Sequence, residues 1–123
     1  MKMPLKLAFL VLFILGPTAS LAEEASVEGV TVRKNIDGTY YFEVTVRHSD
    51  TGWDHYVNRW EVVGPDGTIY GERVLLHPHE NEQPFTRSQN GIPVPESVKS
   101  VTVRAHDSVH QFGGVEVPTE IPE

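Results

Sequence analysis

The segment FEVTVR, residues 42–47, alternates apolar and polar side chains without a break. Successive side chains of a β-strand point to opposite faces of the sheet, so this alternation predicts a strand with one face in a core and the other in solvent. His48 follows directly on the buried parity. The segment therefore predicts a half-buried strand that ends at a histidine.

The rest of the chain shows the same pattern in short pieces. Residues 30–33 also alternate, and the turn residues at 35–38 predict a hairpin between the two strands. Residues 77–95 contain four prolines, which predicts a long connection with one short edge strand near 85–87. Further strands are predicted at residues 56–63, 68–76, 98–105 and 115–117.

No segment has a helical period, and the predicted strands are separated by turn chemistry. Six or seven short strands in about 100 residues favour an all-β fold, an antiparallel two-sheet sandwich of the immunoglobulin or fibronectin type III kind. A tryptophan on the third strand, Trp60, is typical of such sandwiches. A small barrel is the alternative.

The N-terminus resembles an export signal. Lys2 and Lys6 precede an apolar run at residues 7–15, and Ser20-Leu21-Ala22 has small residues where a signal peptidase cuts. The run is about half the ~20 residues that a membrane-spanning helix needs. We therefore expect residues 1–22 to be a signal peptide, residues 23–123 to be one secreted domain in the periplasm of a bacterium, and no membrane span after signal removal.

Composition limits the partners. The chain has no cysteine, which excludes disulfides, cysteine chemistry and lipid attachment at the predicted cleavage point. Loss of Lys2 and Lys6 would take the formal net charge from −7 to −9. Because a polyanion would be repelled by this surface, nucleic acid is not an expected partner, whereas cations and basic partners are attracted.

The six histidines are the main candidates for chemistry. They form three pairs in or beside predicted loops: His48 with His55, His77 with His79, and His106 with His110. In a sandwich, the loops after the second and the penultimate strands emerge at the same end. If the fourth strand runs in the same direction, all three pairs meet at one pole.

Three or four imidazoles with one or two carboxylates suit zinc, copper(II) or nickel, and of these divalent metals we expect zinc or copper. The only methionines, Met1 and Met3, lie in the predicted signal, so no soft sulfur ligand is available. The candidate metal ligands, in order of preference, are His77, His79, His55, His106, His110, Asp54 and Asp107. The opposing interpretation is that these histidines only tie one turn to another.

Other functions have less support. Asp107, Ser108 and His110 are the residue types of a hydrolase triad, but neighbours in sequence rarely adopt that geometry and no Gly-x-Ser-x-Gly turn is present. We therefore expect a binding protein and not an enzyme. The aromatic residues Trp53 and Tyr56 lie in or beside a predicted loop, where exposed rings can bind a protein or a glycan without metal.

Three segments carry a resemblance to known sequences. GWDHY at 52–56, VLLHPHENEQPFTRS at 74–88 and VRAHDSVH at 103–110 are similar to marker segments of a small family of uncharacterised exported bacterial proteins. The resemblance covers nearly all of residues 23–123. It implies export and a single domain, and it implies no activity, cofactor or partner.

Overall fold

The computed structural model describes residues 23–123, and the predicted signal peptide at 1–22 lies outside the described residues. These residues form strands and no helix, so they contain no helix that could cross a membrane. The seven strands are β1 (Ser26–Lys34), β2 (Tyr40–Arg47), β3 (Val57–Val63), β4 (Ile69–Val74), β5 (Phe85–Ile92), β6 (Ser100–Asp107) and β7 (Val117–Glu120).

The strands form two antiparallel sheets. One has the order β1-β2-β5 and the other the order β4-β3-β6-β7. Alternate residues of β2 are buried, as the FEVTVR pattern predicts, and they pack against β3 and β6 side chains such as Trp60 and Val103, which are fully buried. The predicted all-β two-sheet sandwich is confirmed, and residues 23–123 do not close into a barrel.

Strand β5 is longer than the sequence predicts. It has eight residues, extends through Asn90 and Gly91, and pairs along β2 from Phe85 to Ile92. Only its first and last residues are buried, so its side chains do not alternate between core and solvent. The backbone pairing with β2 therefore determines the length of this edge strand. The order of its buried and exposed side chains does not predict that length.

The direction of the strands brings three loops together. Strands β4 and β6 are both antiparallel to β3, so they run the same way and end at the same pole. His48, directly after β2, contacts His55 just before β3, and His55 contacts Asp107 at the end of β6. The loops after β2, β4 and β6 thus share one pole, which we call the histidine pole.

Candidate metal centre

Three side chains at the histidine pole offer ligand atoms that all lie within 4.8 Å of one another: His48, His55 and Asp107. The Nε2 atoms of His48 and His55 are 3.1 Å apart, and Nε2 of His55 is 3.2 Å from Oδ1 of Asp107. His48 and Asp107 are fully buried, whereas the His55 side chain keeps 16% of its surface exposed. The cluster therefore opens to solvent on the side of His55.

Strand periodicity explains two of the three positions. His48 has the inward parity of Phe42, Val44 and Val46, and Asp107 has the inward parity of Val103 and Ala105 on β6. Each side chain therefore continues a buried row beyond the end of the apolar core. The sequence places a polar group where the next core residue would lie.

A tight turn positions His55. Its backbone N–H donates to the carbonyl of Gly52, and its carbonyl accepts from the N–H of Thr51. Gly52 has a φ of 129°, a backbone angle that residues with a Cβ atom rarely adopt. The turn folds the β2–β3 loop back on itself, so that the His55 ring lies edge-on against the His48 ring at 4.6 Å between centroids.

Asp50 fixes the orientation of His48. Its Oδ1 lies 2.5 Å from Nδ1 of His48 and also accepts the backbone N–H of Val57, while its Oδ2 accepts the backbone N–H of His79. A hydrogen bond from Nδ1–H to this carboxylate leaves the lone pair of a neutral His48 ring on Nε2, which faces His55. A histidine that donates its other ring N–H to a carboxylate is the usual arrangement around a protein-bound metal.

The charges around the cluster favour a cation. Burial lowers the pKa of His48, but the hydrogen bond to Asp50 and the charges of Asp50 and Asp107 outweigh burial and raise it overall. Burial raises the pKa of Asp107, yet the backbone N–H groups of His110 and Val109 hold it below its usual value. Asp107 is therefore a buried carboxylate, and its Oδ2 has no hydrogen-bond partner.

His77 and His79 lie beside this cluster, outside the group of three. His79 is buried and its ring stacks on Phe85 with 4.0 Å between centroids, while its Nδ1 is 3.9 Å from Oδ2 of Asp50. The pKa of His79 is lowered by burial and by the charges of Arg87 and His77. His77 is exposed and its ring lies 4.6 Å from that of His79.

Two other candidates point elsewhere. His106 precedes Asp107 on β6 and therefore faces the opposite side, where its Nδ1 lies 2.6 Å from Oδ1 of Asn58 and its ring contacts Phe112. The pKa of His106 is lowered by burial and by the charge of Arg59. The Asp54 side chain is exposed. The structure therefore does not bring these two side chains to the group of three.

The sequence pattern does not predict His48 as a ligand or Asp50 as its partner. The inward parity of His48 at the end of β2 indicates that it has a polar partner inside the fold, because a buried polar side chain needs one. Asp50 lies beyond β2, where no period applies, and its contacts with Val57 and His79 come from residues distant in sequence. The role of Asp50 is therefore visible only in the folded chain.

Two of the three separations between ligand atoms, those that involve His55, are close to the spacing of tetrahedral coordination. With metal–ligand bonds of about 2.0–2.1 Å, two ligands of a tetrahedral zinc ion lie roughly 3.3–3.4 Å apart. The observed separations of 3.1 and 3.2 Å at His55 differ from this by only a few tenths of an ångström. The group could therefore accept an ion with small side-chain movements.

An open cleft lies next to the cluster. It is lined by Trp53, His77, Pro78, His79, Glu80, Asn81, Glu82 and Arg87. The Trp53 ring packs edge-on against Tyr56 and keeps 66% of its surface exposed. The cleft is a second surface at this pole, and its charged and polar side chains could contact a polar ligand.

The chain is similar to a protein of Halomicrobium mukohataei named "Putative lipoprotein", with 43% identity over 91 residues. Those residues are 74% of this chain and 44% of the relative, so the chain spans less than half the length of the curated relative it matches. No family model matches the chain, and no solved structure matches it.

Proposed function

We propose that this chain is an exported binding domain that holds one divalent transition-metal ion, zinc or copper(II), between His48, His55 and Asp107. The main support for this proposal is that three ligand atoms lie within 4.8 Å of one another. Two of these atoms belong to fully buried side chains. Two imidazoles and a carboxylate, without sulfur, are a ligand set that both metals accept.

The contacts of the cluster support this proposal over a metal-free network. A hydrogen-bonded network needs a donor facing each acceptor, yet Oδ2 of Asp107 and Nδ1 of His110 are buried without partners. The Asp50–His48 hydrogen bond holds the Nε2 lone pair of a neutral His48 ring toward the centre. A cation that also reaches Oδ2 of Asp107 would supply the partner that this oxygen lacks.

Export is the second part of the proposal. The relative has the name "Putative lipoprotein", which supports export, and the N-terminal residues of this chain have the pattern of an export signal. These 123 residues contain no cysteine, so lipid attachment is not part of the proposal. For a bacterial host, the periplasm is the expected compartment.

Isothermal titration of the purified protein with Zn²⁺ and with Cu²⁺ at pH 7.5 tests metal binding. We expect one ion per chain, because residues 23–123 contain one such group of ligands. Its affinity should begin to fall at a pH above the usual histidine value of roughly 6.5, since the pKa of His48 is raised and protons compete for the imidazole nitrogens. His106→Ala, which removes an imidazole outside the cluster, should bind as the wild type does. A dissociation constant weaker than about 1 mM for both metals would contradict the proposal.

A metal-free protein or glycan interaction domain is the second candidate, and the exposed Trp53 beside the cleft favours it. Exposed aromatic rings are frequent in contacts with partners. We expect Trp53→Ala to change the free energy of unfolding by no more than about 0.5 kcal/mol, because most of this side chain is in solvent. A fall of several degrees in the melting temperature would instead show that Trp53 stabilises the end of the sandwich.

A further inference from the structure

The His110 ring approaches the candidate metal centre, and its Nδ1 atom makes no hydrogen bond. Its Nδ1 is 3.3 Å from Oδ1 of Asp107, and its ring lies 4.9 Å from the His55 ring between centroids. The Nδ1 atom is buried and has no hydrogen-bond partner, although its distance from the carboxylate would allow one. The ring and the carboxylate are therefore close neighbours whose polar atoms do not satisfy each other.

The loop after β6 holds His110 in this position. Asp107 and Gln111 exchange two backbone hydrogen bonds of 3.0 Å, which closes a short turn around His110. Oδ1 of Asp107 also accepts the backbone N–H groups of Val109 and His110, at 2.9 and 2.7 Å. The same carboxylate that contributes to the group of three thus anchors the backbone of His110.

We propose that His110 is the fourth ligand and closes the centre into a tetrahedral zinc site with three imidazoles and one carboxylate. This inference rests on the proposed function. The separation of 3.3 Å between Nδ1 of His110 and Oδ1 of Asp107 is the spacing of two ligands on one tetrahedral ion, roughly 3.3–3.4 Å. No contact with His48 is needed before the metal binds.

The His110 ring must shift to complete the site, since His110 does not belong to the group whose ligand atoms all lie within 4.8 Å of one another. Its side chain is 22% exposed, so it borders solvent on one side, and turning breaks no hydrogen bond of Nδ1. Four protein ligands leave no position for a reactive water, which is the property of a structural zinc site. The ion would then join the β2–β3 loop to the β6–β7 loop.

Co²⁺ is the probe for the fourth ligand, because tetrahedral Co²⁺ absorbs visible light far more strongly than Co²⁺ with additional water ligands. The purified wild-type protein should bind Co²⁺ with intense bands that Zn²⁺ removes. His110→Ala should bind Co²⁺ at least about tenfold more weakly and with weaker bands, as water replaces the imidazole. His106→Ala is the matched control and should keep the wild-type spectrum and affinity.

The outcomes separate this inference from the proposed function. If wild-type protein binds none of Co²⁺, Zn²⁺ and Cu²⁺, both are wrong, and if it binds Cu²⁺ alone, only the tetrahedral zinc site is wrong. If the wild type binds and His110→Ala keeps the same affinity and spectrum, only the fourth ligand is wrong. Thermal unfolding without metal checks that the variant folds, and His110→Gln provides a second variant in which a polar side chain is kept.

Discussion

Replacing Asp50 by alanine should lower the free energy of unfolding of the metal-free protein by about 3–5 kcal/mol, as expected when one partner of a buried pair is removed. The carboxylate accepts the backbone N–H groups of Val57 and His79 and contacts Nδ1 of His48. All three groups would lose their partner inside the fold. Because native proteins are stable by only about 5–15 kcal/mol, this loss would remove a large part of the stability of the fold.

Urea denaturation of the metal-free protein measures this effect, and Asp54→Ala is the matched control. Asp54 is exposed, and its substitution should change the free energy of unfolding by no more than about 0.5 kcal/mol. Equal stability of the two variants would show that Asp50 does not organise the histidine pole. Asp50→Asn, which retains a carbonyl acceptor, should be less damaging and should weaken zinc binding by about 10–100-fold.

Replacing His55 by alanine should abolish the stabilisation of the protein by zinc. At a free zinc concentration 100 times the dissociation constant, the wild type should gain about 2.7 kcal/mol. For a domain of about 100 residues, this corresponds to a rise of roughly 10–20 °C in the melting temperature. The variant lacks the one ligand that contacts both other members of the group, so we expect no comparable rise at the same zinc concentration.

The metal-free melting temperature is the internal control for His55→Ala. The His55 side chain is partly exposed and its Nε2 lies 3.1 Å from Nε2 of His48, so its loss should affect the metal-free fold less than the loss of Asp50. His106→Ala should show the full zinc-dependent rise. If zinc stabilised His55→Ala as much as the wild type, the ion would bind at some other place.

The strand pattern was sufficient to predict the sandwich. FEVTVR marks β2, the turn at residues 35–38 separates it from β1, and the alternation ending at Ala105 marks β6. Strand β5 could not be predicted at its full length, because only Phe85 and Ile92 among its residues are buried. Its length depends on backbone pairing with β2, and side-chain patterns do not report pairing.

The histidine pole was predictable in outline and less so in detail. Strand direction brings the loops after β2, β4 and β6 together, as expected from their order in the chain. Membership of the metal centre depends on the face of each residue: Asp107 points inward and His106 outward, although they are neighbours in sequence. His48 points inward by the same rule, and the role of Asp50 depends on contacts that form only on folding.

Anomalous X-ray scattering at the zinc edge, measured on crystals of the zinc-loaded protein, is the most direct test of the metal centre. We predict one strong peak at about 2.0–2.2 Å from Nε2 of His48, Nε2 of His55 and a carboxylate oxygen of Asp107. A peak located only at His77 and His79, or no peak at full zinc loading, would contradict the proposed centre.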